Sequence, residues 1–297
     1  MDLGDSAPSR GHVAHLRSLV GIAALVATAN REFLLRSSAL PTICAQTVRP
    51  YRVVVVNDGE SLTEETRLAL RMLEDRTQTH VELLDNDRAR GAAGAWNKGL
   101  DHLWRTGHRG FVAILDDDDT WDEDHLERNL EHSRDADLVV SGLRMKVGGR
   151  IVPRPLIEQL RDRDFLVGNP GWQGSNTFVS MDLIRATGGF RDGLASLNDR
   201  DFAIRLLRHP GARWNLTGCW TATWTLDTPG NLSSRLSDAK LLGLRRFWRL
   251  YGEEMTESER SAFFERSERL FGFGRDIIEL GLSNEPESAH GSLYGRI

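Results

Sequence analysis

The stretch Phe111-Val-Ala-Ile-Leu-Asp-Asp-Asp-Asp-Thr-Trp121 decides how this chain is read. Its first five residues are apolar, a run of strand length that suits a sheet covered on both faces. Asp116, Asp117, Asp118 and Asp119 follow at once. Adjacent carboxylates repel one another, and withdrawing them from water is costly unless a cation or hydrogen-bond donors compensate. Open α/β sheets hold ligands beyond the carboxyl ends of their strands, so the cluster reads as a divalent-metal and phosphate site. The competing reading is a solvated acidic turn that caps a helix running from Trp121 to Ser133.

Three more strand-length apolar runs precede it. Val20 to Ala27 leads to Thr28, Tyr51 to Val56 leads to Asn57-Asp-Gly-Glu60, and Val81 to Leu84 leads to Asp85-Asn-Asp87. Between the first two, Asn30 is a candidate N-cap for a helix with apolar Phe33, Leu34, Leu40 and Ile43, interrupted by Pro41. Glu64 to Arg76 is helical, and a Gly/Ala-rich loop from Arg88 to Gly99 runs into a helix through Trp104. This βαβαβαβ alternation calls for a largely parallel sheet with right-handed crossovers. Thr28, Asp58, Asp85 and Asp116 then line one edge of it.

The second half is less regular. Strands are expected at Ala136 to Ser141, Asn176 to Ser180, Arg213 to Leu216 and Cys219 to Leu226, with a hairpin through Gly148-Gly149. Helical periodicity marks Asn198 to Leu207 and then Ser237 to Leu282. The organisation expected is a flexible leader 1–17, an α/β domain 18–236, a helical segment 237–282 and a flexible tail 283–297.

Bulk properties narrow the class. The 297 residues carry a formal charge of −5, which argues against non-specific nucleic-acid binding. Positive charge is nearly all arginine, the lysines being Lys98, Lys146 and Lys240. Cys44 and Cys219 have no metal-ligand spacing, and a reducing compartment is the default. No apolar run is long enough to span a bilayer, and Met1 to Arg17 lacks a secretory h-region. A cytoplasmic location is expected, so the sequons at Asn215 and Asn231 carry little weight.

Several short motifs arrive in a familiar order: Thr28-Ala-Asn-Arg31, Gln46-Thr47 with Pro50, Val56-Asn-Asp-Gly-Glu60, Arg90-Gly-Ala-Ala-Gly-Ala-Trp-Asn97, the Asp116 to Asp119 run, Gly188-Gly-Phe190 and Asn198-Asp-Arg-Asp201. Together they resemble a family 2 glycosyltransferase of the GT-A fold over roughly Val20 to Leu226. The resemblance implies transfer of a sugar from a nucleotide-linked donor (UDP, dTDP or GDP), with inversion, using Mg²⁺ or Mn²⁺.

Residue by residue, the resemblance puts Thr28 and Asp58 against the nucleotide, with Arg90 beside it; Asn57 replaces the family's first acid. Asp116-x-Asp118 matches the Asp-x-Asp signature, implying Asp118 as the direct metal ligand and Asp116 on the ribose or a metal-bound water. Asp117 is the variable position, and Asp119 is expected to cap the next helix. Asp199 matches the general base, with Asn198 where Glu is usual and Asp201 as fallback; an N-cap role for Asp199 is the bland alternative. Trp172 and Trp224 are candidates for stacking on a sugar, against the commoner fate of core packing. Some relatives use a late His as metal ligand; none lies between His209 and His290 here, leaving Asp227 for that role. The acceptor cannot be read from the sequence, and the C-terminal helices are open to membrane docking or homo-oligomer formation.

Three rival readings stand beside this one. Ile114-Leu-Asp-Asp-Asp-Asp-Thr120 also fits the nucleophile motif of haloacid-dehalogenase-like phosphatases, although three βα units precede it here. A sugar nucleotidylyltransferase would need a Gly-rich basic loop after the first strand, which Ala27 to Asn30 does not supply. A non-catalytic nucleotide-sugar-binding protein is the alternative from a different class.

Overall fold

The computed structural model describes residues 21–226 and 235–280. Strand β1 (Ile22–Thr28) leads into a helix in three pieces: α1 (Glu32–Leu34), a π-helical turn Leu35–Ala39 and α2 (Leu40–Cys44). The loosened turn sits just before Pro41, which has no N–H to donate to the preceding turn. Asn30 is not the cap. It adopts a left-handed conformation (φ 55°) and its side chain takes the N–H of Glu60 at 2.8 Å, so the helix starts from Arg31. Then come β2 (Arg52–Asn57), α3 (Glu64–Thr77), β3 (His80–Asp85), α4 (Ala92–Arg105) and β4 (Phe111–Asp116). These four strands are parallel, in the order β3-β2-β1-β4.

Beyond β4 the expected helix from Trp121 is shorter. Thr120–Trp121 forms a two-residue strand, β5, and α5 (His125–Glu131) starts from Asp124. Strand β6 (Leu138–Val147) runs on past the end expected at Ser141, and β7 (Arg150–Pro153) returns from the Gly148-Gly149 turn. After α6 (Asp164–Val167) and a short 3₁₀ turn, Gly174–Asn176, come β8 (Thr177–Ser180), α7 (Met181–Thr187), α8 (Asn198–Leu207) and β9 (Trp214–Thr225). Strand β9 joins the two short strands expected there, with the ladder to β6 shifting around Gly142. The sheet continues β4-β8-β6-β9-β5, with both β8 pairings antiparallel.

Alternate residues of the central strands enter two apolar layers. Leu25, Val54, Val56 and Ile114 face one layer, whereas Val26, Val55 and Leu115 face the other together with Ile43 and Leu70. The sheet is thus covered on both sides, as its apolar runs require. The C-terminal helices α9 (Asp238–Tyr251), α10 (Glu257–Phe271) and α11 (Arg275–Glu279) belong to the first layer. They add Leu244, Phe247, Tyr251, Phe263, Phe264 and Ile278 to the same cluster as Leu25 and Phe202. Ser237 caps α9, and Thr256 with Glu259 forms a reciprocal capping box on α10. No helix among the described residues is long and apolar enough to cross a membrane. The leader, the tail, Asp227 and Asn231 lie outside the described residues.

Because Phe247 is fully buried between α8 and α10 elements, Phe247→Ala is expected to lower the unfolding free energy by about 3–5 kcal/mol. Urea denaturation followed by circular dichroism checks this. A loss below about 1 kcal/mol would mean that the helices are a loosely attached appendage.

Candidate active site

The acidic corner follows from β4 ending flush with β1. Asp116 closes β4, and the chain turns tightly as the Asp119 N–H donates to Asp116 O at 3.2 Å. The turn sends the four carboxylates to different partners. Asp117 points inward and is fully buried; it accepts from Thr28 Oγ1 at 2.7 Å and pairs with the Arg31 guanidinium. Asp118, 9% exposed, pairs with Arg31 Nη1 at 3.0 Å. Asp119 is also buried, accepting from Ser175 Oγ at 2.6 Å and from the Thr225 N–H at 2.8 Å. It therefore ties the corner to β9 instead of capping a helix. Asp116 is partly open to the cleft, and its carboxylate accepts no hydrogen bond among the described residues.

Electrostatics follow from that crowding. Burial, then the Asp118 and Asp117 charges, push Asp116 up to about 7, with Asp199 adding to the effect and Arg31 opposing it. Burial pushes Asp117 up to about 6 against the pull of Arg31, and Asp119 is raised by burial and by Asp116. Burial alone would lower Arg31, but Asp117 and Asp118 outweigh it and raise it. Carboxyls raised in this way stabilise the metal-free fold below their unfolded values near 4; that contribution is lost as pH climbs through about 6 to 7.

The other expected residues fall around this corner. Thr28 is buried behind Asp117. Asp58 uses both oxygens to hold the next loop, taking Asn86 Nδ2 at 2.6 Å and the Gly91 N–H at 2.7 Å. Arg90, in that loop, is exposed and has no ion-pair partner among the described residues. Asn97 in α4 is fully buried. It donates to Phe190 O (2.8 Å) and Asp192 Oδ1 (2.6 Å) and accepts the Phe190 N–H (2.8 Å), while Asp192 also takes Arg88 Nη2 at 2.6 Å.

Asp199 lies in the first turn of α8, partly exposed, and is not its cap, since that position is Leu197 in a left-handed conformation (φ 66°). Asn169 Nδ2 donates to Asp199 Oδ2. Asn169 is itself fixed by donating to Trp172 O at 2.5 Å and accepting the N–H groups of Gly171 and Trp172 at 2.8 Å.

Two expectations are corrected. Asp201 cannot serve as a fallback base: it is fully buried and neutralised by Arg191 (3.0 Å), Arg205 (2.8 Å) and the Tyr251 hydroxyl (2.8 Å). Burial would raise its pKa, but Arg205 and Arg191 prevail and lower it. Trp172 cannot stack on a sugar. It is 1% exposed, sits edge-on to Phe165 and donates Nε1–H to Thr177 Oγ1 at 2.6 Å. Trp224 is half-buried against the second apolar layer.

Arg31 and Ser175 are the residues that sequence reasoning passed over. A signal for Arg31 existed, namely a cation at the end of β1 beside four acids. None existed for Ser175, which is 56 residues from Asp119 in sequence.

The donor set suits a hard divalent cation that takes most of its ligands from elsewhere. No group of three or more candidate ligands is preassembled among the described residues. Asp116 nevertheless keeps its oxygens unclaimed, and Asp118, near enough for its charge to act on Asp116, retains slight exposure. One or two carboxylates, completed by phosphate and water, are typical of Mg²⁺.

Mostly parallel strands feeding an acidic corner, with helices on both faces, define a GT-A-type fold. The model of glycosyl transferase family 2 matches residues 25–207, more than half of the sequence, and the chain belongs to that family. Among curated relatives, it is 36% identical over 88 residues to the succinoglycan biosynthesis protein ExoW of Rhizobium meliloti, covering 30% of this chain and 26% of that one. It is 32% identical over 94 residues to the Escherichia coli UDP-Glc:alpha-D-GlcNAc-diphosphoundecaprenol beta-1,3-glucosyltransferase WfgD, covering 32% of this chain and 34% of that one. The matched stretches thus span about a quarter to a third of these relatives. Among solved structures, S. aureus TarS 1-349 in complex with UDP-GlcNAc aligns with a TM-score of 0.59 at 18% identity, covering 90% of this chain and 76% of that one. The mannosyltransferase PcManGT from Pyrobaculum calidifontis, in complex with GDP-Man and Mn²⁺, aligns at 0.53 and 17%, covering 83% and 69%. At these identities the structural likeness speaks for the fold.

Arg31→Gln leaves buried Asp117 with Thr28 alone. The expected loss is about 2–4 kcal/mol, somewhat below that for a fully buried pair because part of Arg31 meets water. Adding Asp117→Asn should recover most of it. A double-mutant cycle by chemical denaturation measures the coupling, and a value near zero would refute the pairing.

Proposed function

We propose that this chain transfers a glycosyl group from a nucleoside-diphosphate sugar to an acceptor hydroxyl, with inversion, using Asp199 as general base. The observation that carries this is a pair of carboxylates. Asp117, Asp119 and Asp201 are all buried and engaged by internal partners. Asp116 and Asp199 are each partly exposed and near enough for the Asp199 charge to act on Asp116. One is suited to the donor's phosphate end and the other to the acceptor.

The donor lies over the edge formed by Thr28 and Asp58, with exposed Arg90 available to its phosphates. Asp118, with Asp116, would hold Mg²⁺ or Mn²⁺. When bound, that ion stabilises the negative charge of the departing nucleoside diphosphate. Asp199 accepts the proton of the acceptor hydroxyl as its oxygen bonds to C1. The C1–O bond to the diphosphate breaks on the opposite face, which inverts the configuration. Asn169 holds one oxygen of Asp199 and leaves the other for that proton. The phosphatase reading, in which Asp116 is a nucleophile, is not favoured, because the family match covers the same residues.

Asp199→Asn is expected to lower turnover by about 10²–10⁴-fold while UDP or GDP binding with Mn²⁺ stays near wild type. Labelled-donor transfer assays paired with calorimetry separate the two; unchanged turnover would exclude Asp199 as base. Asp118→Asn is expected to abolish the rise in melting temperature that nucleoside diphosphate and Mn²⁺ together produce, and a wild-type-like rise would exclude it as ligand.

A further inference from the structure

Asp199 stands near Arg154, Arg200 and Lys240, more positive charge than one carboxylate balances. Arg154, just after β7, is half-buried; its Nη2 donates to Asn169 O at 3.3 Å, and it has no ion-pair partner among the described residues. Arg266, on α10, is also half-buried and has neither ion pair nor hydrogen bond among the described residues. Its guanidinium lies against Gly168, where an added Cβ would stand 3.3 Å from Cζ and Nε. The Gly168-Asn169 turn between these two arginines is the one whose Asn169 side chain donates to Asp199. Beneath it, buried Arg200 is satisfied by Phe165 O (2.7 Å) and Leu166 O (2.6 Å), and Lys240 Nζ donates to Ser196 Oγ at 2.6 Å.

Among other half-buried arginines, Arg88 has Asp192, Arg144 has Asp122, and Arg208 has Asp162 and Glu254, while Arg245 and Arg260 each donate to backbone carbonyls. Arg266 has neither kind of partner among the described residues, and Arg154 has a single long contact to the backbone of Asn169, the residue whose side chain holds Asp199. Burial lowers both, Asp199 acts on Arg154, and Arg154 in turn acts on Arg266, so the charges share one region. Partly desolvated cations without a counter-ion are costly unless a ligand supplies one.

We propose that Arg154 and Arg266 form an anion subsite beside Asp199 that receives a phosphate group carried by the acceptor. This rests on the transferase reading and names its acceptor class. A planar guanidinium offers a fork of N–H donors, and two forks from different elements suit an anion with several oxygens, a phosphate better than a carboxylate. The donor's own phosphates belong to the opposite corner, where Arg31 is the cation acting on Asp116. A soluble phosphodiester and a lipid-linked diphosphate share the chemistry required.

The test uses the full chain in EDTA, so that no divalent ion holds phosphate at the acidic corner. Glycerol 3-phosphate, farnesyl diphosphate in detergent, glucuronate and glycerol are titrated calorimetrically against wild type and an Arg154→Gln, Arg266→Gln double variant. Phosphate-bearing probes should bind wild type with an affinity that falls as salt rises, and bind the double variant about tenfold or more weakly. Binding of both phosphate probes supports the subsite generally, and binding of farnesyl diphosphate alone assigns a lipid-linked acceptor. Equal affinity in the double variant, glucuronate binding as well as phosphate, or no phosphate binding overturns the proposal. If the double variant loses its near-UV dichroism, phenylglyoxal labelling of wild type read by mass spectrometry replaces it. Protection of both arginines by glycerol 3-phosphate then supports the subsite, and unchanged labelling refutes it. A separate arm, the thermal shift with UDP or GDP plus Mn²⁺, reads the donor side. Its failure alone would sink the transferase reading, whereas the anion subsite is judged by the phosphate arm.

Discussion

Repulsion among Asp116, Asp117, Asp118 and Asp119 is the constraint to which the rest of the site answers. The turn after β4 separates the four acids and gives three of them internal partners from three parts of the chain: Arg31 and Thr28 from the end of β1, Ser175 from the 3₁₀ turn before β8, and Thr225 from the end of β9. Asp116 alone is left unengaged among the described residues, and it is held well above the ordinary carboxylate range. A corner built in this way closes only when both halves of the fold are in place. The raised pKa of Asp116 is also poised to fall when positive charge arrives.

The second dependence runs through the C-terminal helices. Arg200 in α8 stacks over Phe247 of α9 at 4.3 Å and lies 5.7 Å from the ring of Phe263 of α10, while donating to the backbone of α6. Tyr251 of α9 reaches Asp201, two residues from Asp199. The helix that presents Asp199 is therefore backed by side chains from beyond residue 237. These helices make the floor beneath Asp199.

Much of this was legible in the chain. The four parallel strands were visible because each is a short apolar run ending in a polar residue, and burial on both faces leaves no alternation to confuse them with anything else. Asp118 and Asp199 stood out because acids recur there in a motif order. What could not be read was pairing across long separations. Asp201 and Asp199 look equivalent in Asn198-Asp-Arg-Asp201, yet helical geometry turns Asp201 inward to Arg205 and Arg191. Trp172 sits in a Pro- and Gly-rich loop that left sugar stacking open beside core packing, but its indole N–H has a partner in Thr177 and its ring fills the core. The joined strand β9 was misread as two because Gly218 interrupts the apolar pattern, and its positive φ of 67° shows a local irregularity, not a break in pairing.

Asn97 has one more implication. Its side-chain amide, wholly out of water, clasps the backbone of Phe190 in both directions and reaches Asp192, which in turn anchors Arg88. The loop carrying Arg88 and the turn following Gly189 are thereby stapled into one unit, so neither can be displaced without stranding a buried amide.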